Sequence, residues 1–470
     1  MTFQQPIKRC GANSRQMADI KVYQSLLLDG NRDFFYINKT GGDFMSREEF
    51  KIETQLVQGS GEFTEGQPRV YPIYQTTTYD YNSPEVLAEL FDLKRDGYMY
   101  SRIGNPTVTA FEEKIAQLEK GVGALALSSG QAANVTAILN ICGCGDHIVS
   151  LATIYGGTAN LFKSTLKKYG ITATFVSPEV SEEEIKAAFQ ENTKVLFGET
   201  LGNPEMNVID FEKLVRVGKE KGVPVIVDNT LASPYLCNPI EYGVNIVTHS
   251  ATKYIDGQGA ALGGVIVDGG NFNWDNGKFP DLVEPDSAYH NLSYWKDFGK
   301  AAYITRARVT LLRDFGACLN PFNAFLFLRG LETLHLRMER HSENALKVAK
   351  FLENHEKIEW VNYPKLESSY SYENAKKYLP KGGSGVILLG VKGGREGAER
   401  FIKELTWIRS VIHVGDSRTC VLHPASTTHR QLSEEDQIKS GVLPEAVRLN
   451  VGIENVEDIL KDIARALENI

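Results

Sequence analysis

Long apolar runs are missing from this 470-residue chain. No stretch approaches the roughly 18 consecutive apolar residues of a membrane-spanning helix. Cysteine is scarce: six positions, 10, 142, 144, 237, 318 and 420. That is too few and too scattered for a disulfide framework. Cys142 and Cys144 form the one close pair, without the His or Cys companions of a zinc site, so no metal is expected. Positive charge is also short, with 51 Lys and Arg against 59 Asp and Glu and a formal net charge of −8. That balance offers no general attraction for nucleic acid or anionic membrane. The opening stretch "MTFQQPIKRCGANSRQ" lacks the apolar core of a signal peptide. Repeats and low-complexity tracts are absent. The expectation is a soluble, cytoplasmic protein, long enough for more than one domain.

Residues 1–44 are polar and aperiodic and read as a loosely attached extension, with Met45 resembling a natural start. From 107 onward, apolar strand patterns alternate with helical spacing over about 150 residues. "VGALALSSG", "DHIVSLA", "ITATFVS", "TKVLFGET" and "VPVIVDNT" read as strands, and "TVTAFEEKIAQLEKG", "QAANVTAILNIC" and "DFEKLVRVGKEKG" as helices. Ser181 and Glu184 have the spacing of a capping box. The pattern predicts an α/β fold with a mostly parallel sheet flanked by helices. One long helix is predicted over 330–355, followed by a smaller α+β domain. The expected divisions are an arm at 45–106, a large domain at 107–325 and a small C-terminal domain at 326–470.

Ligands of parallel sheets sit outside the carboxyl ends of the strands, so the residues at the strand exits matter most. They are Ser128-Ser129-Gly130-Gln131, Tyr155 with two glycines, Asn203, Asp228, and Ser250, Thr252 and Lys253. Pyridoxal phosphate suits this set. Its aldehyde needs a lysine, and its pyridine nitrogen needs an acid so that the ring can accept electrons. Its phosphate needs hydroxyls and a glycine-flanked helix start, and its ring face needs a flat partner. Lys253, Asp228, the Gly130-Gln131 backbone with Ser250 and Thr252, and Tyr155 meet these needs in turn. Each has a plain alternative when taken alone: a solvated lysine, a capping aspartate, a tight turn, a core tyrosine.

With "VYPIYQTTTY", "YSRIGNPT", "LSSGQAA", "YGGT", "VDNT", "HSATKY", "HPASTTH" and "VRLNVGIE" in one chain, the sequence resembles the pyridoxal-phosphate enzymes of cysteine and methionine metabolism from about residue 52 to 470. The resemblance implies the type I, aspartate-aminotransferase-like fold and a homotetramer built of dimers with shared active sites. It implies that Lys253 binds the cofactor and moves protons, Asp228 faces the pyridine nitrogen, and Asn203 bonds the ring hydroxyl. Tyr155 would stack on the ring and assist the leaving group. Gly130, Gln131, Ser250 and Thr252 would hold the phosphate. Tyr100 and Arg102, in the arm, would reach the phosphate of the neighbouring subunit. Arg448 would clamp the substrate carboxylate.

Within that family, "GGVIVDGGNFNWDNGKFPDLVEPDSAYH" and "VGDSRTCVLHPASTTH" resemble the O-acetylhomoserine sulfhydrylase branch. The implied reaction replaces the acetate of O-acetyl-L-homoserine by sulfide, giving homocysteine for methionine biosynthesis. Methionine γ-lyases commonly carry a cysteine where this chain has Gly157. Two departures from the branch stand out: Gln258 and Ala260 replace a usual His and Thr, and His413 occupies a position where relatives carry a small or amide residue. Arg418 reads either as a second cationic contact or as a surface charge. The same residues serve a methionine γ-lyase or a cystathionine γ-synthase. A cofactor-holding scaffold or regulator without turnover is the alternative from another class.

Overall fold

Most residues in the strands of the large sheet are buried, because helices cover both its faces. The computed structural model describes residues 50–58, 66–428, 430, 434–439 and 441–470. The expectations about residues 1–44 and a start at Met45 lie outside them. The sheet has seven strands in the order β1-β7-β6-β5-β4-β2-β3. They are β1 (Gly123–Leu127), β2 (His147–Leu151), β3 (Thr172–Val176), β4 (Thr193–Glu199), β5 (Val225–Asp228), β6 (Ile246–Ser250) and β7 (Gly264–Asp268). Strands β3, β2, β4, β5 and β6 pair in parallel. Strand β7 runs antiparallel to both β6 and β1, so β1 points the same way as the parallel strands.

Side chains alternate between two cores, as the period of a strand requires. Leu196, Val225, Val227 and Val247 join one cluster with Phe111, Leu214 and Phe327. Val195, Phe197, Ile226 and Ile246 join the other with Ile138, Phe162, Trp274 and Tyr303. The predicted helices appear as α1 (Pro106–Glu119), α2 (Gly130–Leu139), α3 (Gly156–Asn160, prolonged by a π turn) and α4 (Phe211–Lys221). Asn105 caps α1 with Pro106 at its first position, and the capping box at Ser181 and Glu184 is formed.

The helix predicted over 330–355 is two helices, α5 (Pro321–Glu332) and α6 (Leu334–Glu353). They break at Thr333, where the Arg337 guanidinium turns back onto the Thr333 hydroxyl and the Gly330 carbonyl. Beyond them lies a second sheet, in the order β10-β11-β12-β9-β8, with β8 (Ile358–Asn362) and β10 (Arg409–Ser410) at its edges. Its central strands are β9 (Val386–Val391), β11 (Cys420–Leu422) and β12 (Ala446–Asn450). Ile387, Leu389 and Leu449 pack there against Val348 and Leu352 of α6 and Ile459 and Ile463 of the last helix. The fold is therefore α/β with a mostly parallel sheet and a smaller C-terminal sheet domain.

Candidate active site

Strands β1, β2, β4, β5 and β6 all end on one edge of the large sheet, and the predicted residues collect there. Ser129 caps α2, its Oγ accepting the Ala132 N–H at 3.1 Å. Gly130 opens that helix against the end of β6. A Cβ on Gly130 would lie 2.5 Å from the Ser250 Cβ and 2.7 Å from its Cα, so only glycine lets the helix N-terminus reach this strand. Gln131 ties the start of α2 to that of α3, donating from Nε2 to the Gly157 carbonyl at 3.3 Å. The unpaired N–H groups of α2 thus face the strand exit that carries Ser250, a ready cradle for an anion.

Asp228 ends β5 with its carboxylate fixed from two sides. Oδ1 accepts the Thr230 N–H at 3.0 Å and its hydroxyl at 2.5 Å. Oδ2 accepts Asn134 Nδ2 at 3.2 Å. Asn134 is held in turn by the Thr248 hydroxyl at 2.7 Å. Beside Asp228, in register on β4, lies Glu199. Its Oε1 accepts the Tyr155 N–H at 2.7 Å, which fixes the backbone that presents the Tyr155 ring. Burial and then the Asp228 charge push the Glu199 carboxyl well above the usual carboxylate range. A raised folded pKa favours folding below the unfolded pKa and loses that contribution as pH climbs through the folded value. Replacing Glu199 with Gln, which mimics the protonated acid, is therefore expected to flatten the decline in thermal stability with rising pH. Parallel melting curves of the two proteins across neutral and alkaline pH check this.

Lys253 stands three residues beyond β6. Burial, and next the Arg448 charge, lower its amine to about 8. At pH 8 about half of such lysines are free base, against about one in 300 for a solvated one. The turn carrying Lys253 is pinned from behind. Buried Arg337 donates to the Tyr254 carbonyl at 2.7 Å, and the Tyr254 hydroxyl meets Ser384 and Gly385 at 3.1 and 3.0 Å. Gly415, at φ +77, lies so close that a Cβ would come within 2.7 Å of the Tyr254 nitrogen. That contact brings the loop of His413 and Cys420 onto the lysine, and His413 Nδ1 is 3.4 Å from Lys253 Nζ.

Arg448 projects from the middle of β12, flanked by Leu422 of β11 and Leu388 of β9. It is 6% exposed. Its Nη1 reaches Asn203 Oδ1 at 3.4 Å, while its Nη2 is buried with no hydrogen-bond partner among the described residues. Burial lowers its affinity for the proton. A buried guanidinium with a free fork is costly to keep and marks a place for an anion.

The remaining predicted residues are elsewhere or otherwise engaged. Arg418 is exposed and holds both oxygens of Asp416, at 2.8 and 2.9 Å. The Thr252 hydroxyl clasps Gly263, accepting its N–H at 3.0 Å. Tyr100 and Arg102 form a cation–π pair at 5.3 Å, and Arg102 bonds the Arg313 carbonyl. Sequence reasoning missed Asn134, Glu199 and Thr230. Glu199, four residues before Asn203 at a strand end, was within reach of the same reading. Asn134, inside a helix, carried no signal.

A partly buried amine with a lowered pKa, an anchored carboxylate on the neighbouring strand and an anion cradle at a glycine helix start fit pyridoxal phosphate, with the Nη2 side of Arg448 left for the carboxylate of an amino acid. This is the set of groups a pyridoxal-phosphate enzyme would need. The chain belongs to the Cys/Met metabolism PLP-dependent enzymes, whose family pattern matches residues 53–468. An O-acetyl-L-homoserine sulfhydrylase of Leptospira meyeri is 47% identical over 91% of this chain and 99% of its own. A homocysteine/cysteine synthase of Saccharomyces cerevisiae is 46% identical over 86% of this chain and 93% of its own. The crystal structure of a putative O-acetylhomoserine (thiol)-lyase from Campylobacter jejuni superposes with a TM-score of 0.86. It is 37% identical, covers 89% of this chain and 100% of that one, and contains a pyridoxyl-lysine monophosphate residue.

Proposed function

We propose that this enzyme replaces the acetoxy group of O-acetyl-L-homoserine by sulfide, releasing L-homocysteine and acetate. The buried Arg448 guanidinium, close enough to act on Lys253 and with an Nη2 that has no hydrogen-bond partner among the described residues, is the observation that carries the amino-acid part of this reading. Similarity to sulfhydrylases and homocysteine synthases along nearly the whole chain supports the acyl-homoserine part.

Bound pyridoxal phosphate supplies an electron sink for the charge left when a proton leaves the substrate Cα. The chain does the rest. Arg448 takes the α-carboxylate as a bidentate pair, and Asn203, bonded to Arg448, fixes the edge of the ring. Asp228, steadied by Thr230 and Asn134, faces the pyridine nitrogen. The α2 N-terminus with Ser250 holds the phosphate, and Thr252 joins them by turning its hydroxyl from the Gly263 carbonyl. Lys253, with an amine of pKa about 8, takes the α proton and returns one at the end. Tyr155, fixed by Glu199, stacks on the ring and serves the departing acetate. Arg418, spent on Asp416, has no part in this proposal. An acyl-donor series tests the substrate assignment: sulfide-dependent release of acetate from O-acetyl-L-homoserine should exceed release from O-acetyl-L-serine at least tenfold. The reverse order would reassign the donor.

We further propose that two copies complete each site in a cytoplasmic homotetramer, Tyr100 and Arg102 of one serving the phosphate of the other. The arm at 45–106, the large domain at 107–325 and the small domain at 326–470 are the parts this arrangement uses. Among the described residues no helix is long and apolar enough to cross a membrane. Complementation checks the sharing. Arg102→Ala and Lys253→Ala proteins, each impaired alone, should regain about a quarter of wild-type activity when unfolded and refolded together, since half the dimers are hybrids with one intact site of two. No recovery would place each site within one chain.

A further inference from the structure

His413 is the residue of the pocket that the reading above leaves without a task. Its Nδ1 lies 3.4 Å from Lys253 Nζ, long for a hydrogen bond, as contacts in ligand-free sites often are. Its Nε2 is buried with no hydrogen-bond partner among the described residues. The loop cannot easily retreat: Gly415 packs on the Tyr254 backbone, Gly415 N–H donates to Asn450 Oδ1 at 3.0 Å, and Ser417 Oγ donates to the Gly257 carbonyl at 2.7 Å.

We propose that His413 is a positioning residue for Lys253, its Nδ1 accepting a hydrogen bond from the lysine ammonium and so holding the proton that the lysine takes from substrate. This rests on the assignment of Lys253 as the cofactor-binding, proton-moving lysine. In a neutral imidazole one nitrogen accepts and the other carries the hydrogen. An accepting Nδ1 therefore puts the ring proton on Nε2. Besides Lys253, the charged groups acting on His413 are Asp416, Asp256 and Arg448; Lys253 faces Arg448 and the Cys420 thiol, which burial pushes up to about 11 and keeps uncharged. Burial and the Lys253 charge lower the imidazole below its usual range, so it stays neutral at pH 7, the state in which it can accept.

The consequence has an unusual sign. Removing the acceptor destabilises the ammonium, so the lysine becomes free base at lower pH. Cofactor-free protein is mixed with pyridoxal phosphate, and growth of the visible band is followed across pH. In the wild type the capture rate should rise with a midpoint near 8, the value set for Lys253. In His413→Leu the midpoint should fall by about one pH unit, making capture at pH 7 about fivefold faster. Turnover at pH 7 should instead fall, in kcat more than in KM. His413→Asn, whose Oδ1 can stand in for Nδ1, should restore the wild-type midpoint. A merely structural role would slow capture and turnover together. An unmoved midpoint in the Leu protein, or equal slowing in the Leu and Asn proteins at every pH, would overturn the proposal. Should the Leu protein not fold, nitrogen NMR of the histidine-labelled wild type decides. The signal lost in His413→Asn should report an Nε2–H tautomer, and an Nδ1–H tautomer would refute the assignment. Failure of wild-type protein to form any band would instead sink the assignment of Lys253, so the two failures are distinguishable.

Discussion

Lys253→Ala protein is expected to remain folded, to lose the visible band of the covalently held cofactor, and to lose turnover by about 10⁴-fold or more. In the proposed mechanism the lysine has two tasks in one place. It would be the attachment point, and with its amine lowered to about 8 it would also be the base. General base catalysis alone is worth roughly 10²–10⁴-fold, and loss of attachment adds to that. Folding should survive because the turn is held by its backbone: Arg337 bonds the Tyr254 carbonyl and Thr252 clasps Gly263. Removing a desolvated ammonium also relieves a cost of folding. A folded lifted-pKa base behaves oppositely, so the sign matters here. With its folded pKa depressed, Lys253 penalises the native state fully below about pH 8, and the penalty fades as pH rises toward the unfolded value. The Ala protein should therefore gain most stability at pH 7 and least near pH 10. Absorbance spectra, calorimetry and single-turnover rates check the three parts. A Lys253→Ala protein with an unchanged band would end the assignment.

Arg448→Met should produce the second large effect, again with two opposed signs. The free fork would bind the substrate carboxylate through charge-assisted hydrogen bonds worth about 1.5–3 kcal/mol each. Losing two is expected to lower kcat/KM by about 10²–10⁴-fold. Arg448→Lys should recover part of the deficit, since it restores the charge but not the planar fork. The cofactor-free Met protein should at the same time be more stable than the wild type. Arg448 is 6% exposed, and its Nη2 has no hydrogen-bond partner among the described residues, so an apolar replacement removes a buried charge that no described carboxylate pairs. Steady-state kinetics and melting curves measured on one preparation test both signs. A Met protein that loses stability and keeps kcat/KM would make Arg448 a structural residue.

The two arginines also mark how far the sequence can be read. Strand exits were legible because turn chemistry is local: a glycine after two serines, an aspartate ending "VIVD", a lysine after "HSAT". The alternation of β and α was legible for the same reason, and the sheet it implied is the one observed. Arg448 was not legible from residues alone. "AVRLN" alternates like a half-exposed strand, in which arginine faces water. Only the placement of β12 between β11 and β9 buries it, and that pairing joins segments far apart in the chain. Family resemblance supplied what periodicity could not. Arg418 shows the converse, since Asp416, two residues before it, engages its fork and leaves it at the surface. Asn134 was invisible because its partners, Thr248 and Asp228, come from strands about 100 residues away. The break at Thr333 was hidden too. Helical spacing runs through it, and the turn is set by Arg337 reaching back to the Gly330 carbonyl.

The most direct test of the central claim is a product assay on the purified yellow protein. O-acetyl-L-homoserine is supplied with sulfide, with L-cysteine, or alone, and L-methionine is run in parallel. The account predicts homocysteine and acetate in equal amounts from the sulfide reaction, far above any cystathionine or 2-oxobutanoate from the others. Dominant 2-oxobutanoate from methionine would make the enzyme a lyase, dominant cystathionine would make it a synthase of that product, and no product from any mixture would leave a cofactor-holding protein without turnover.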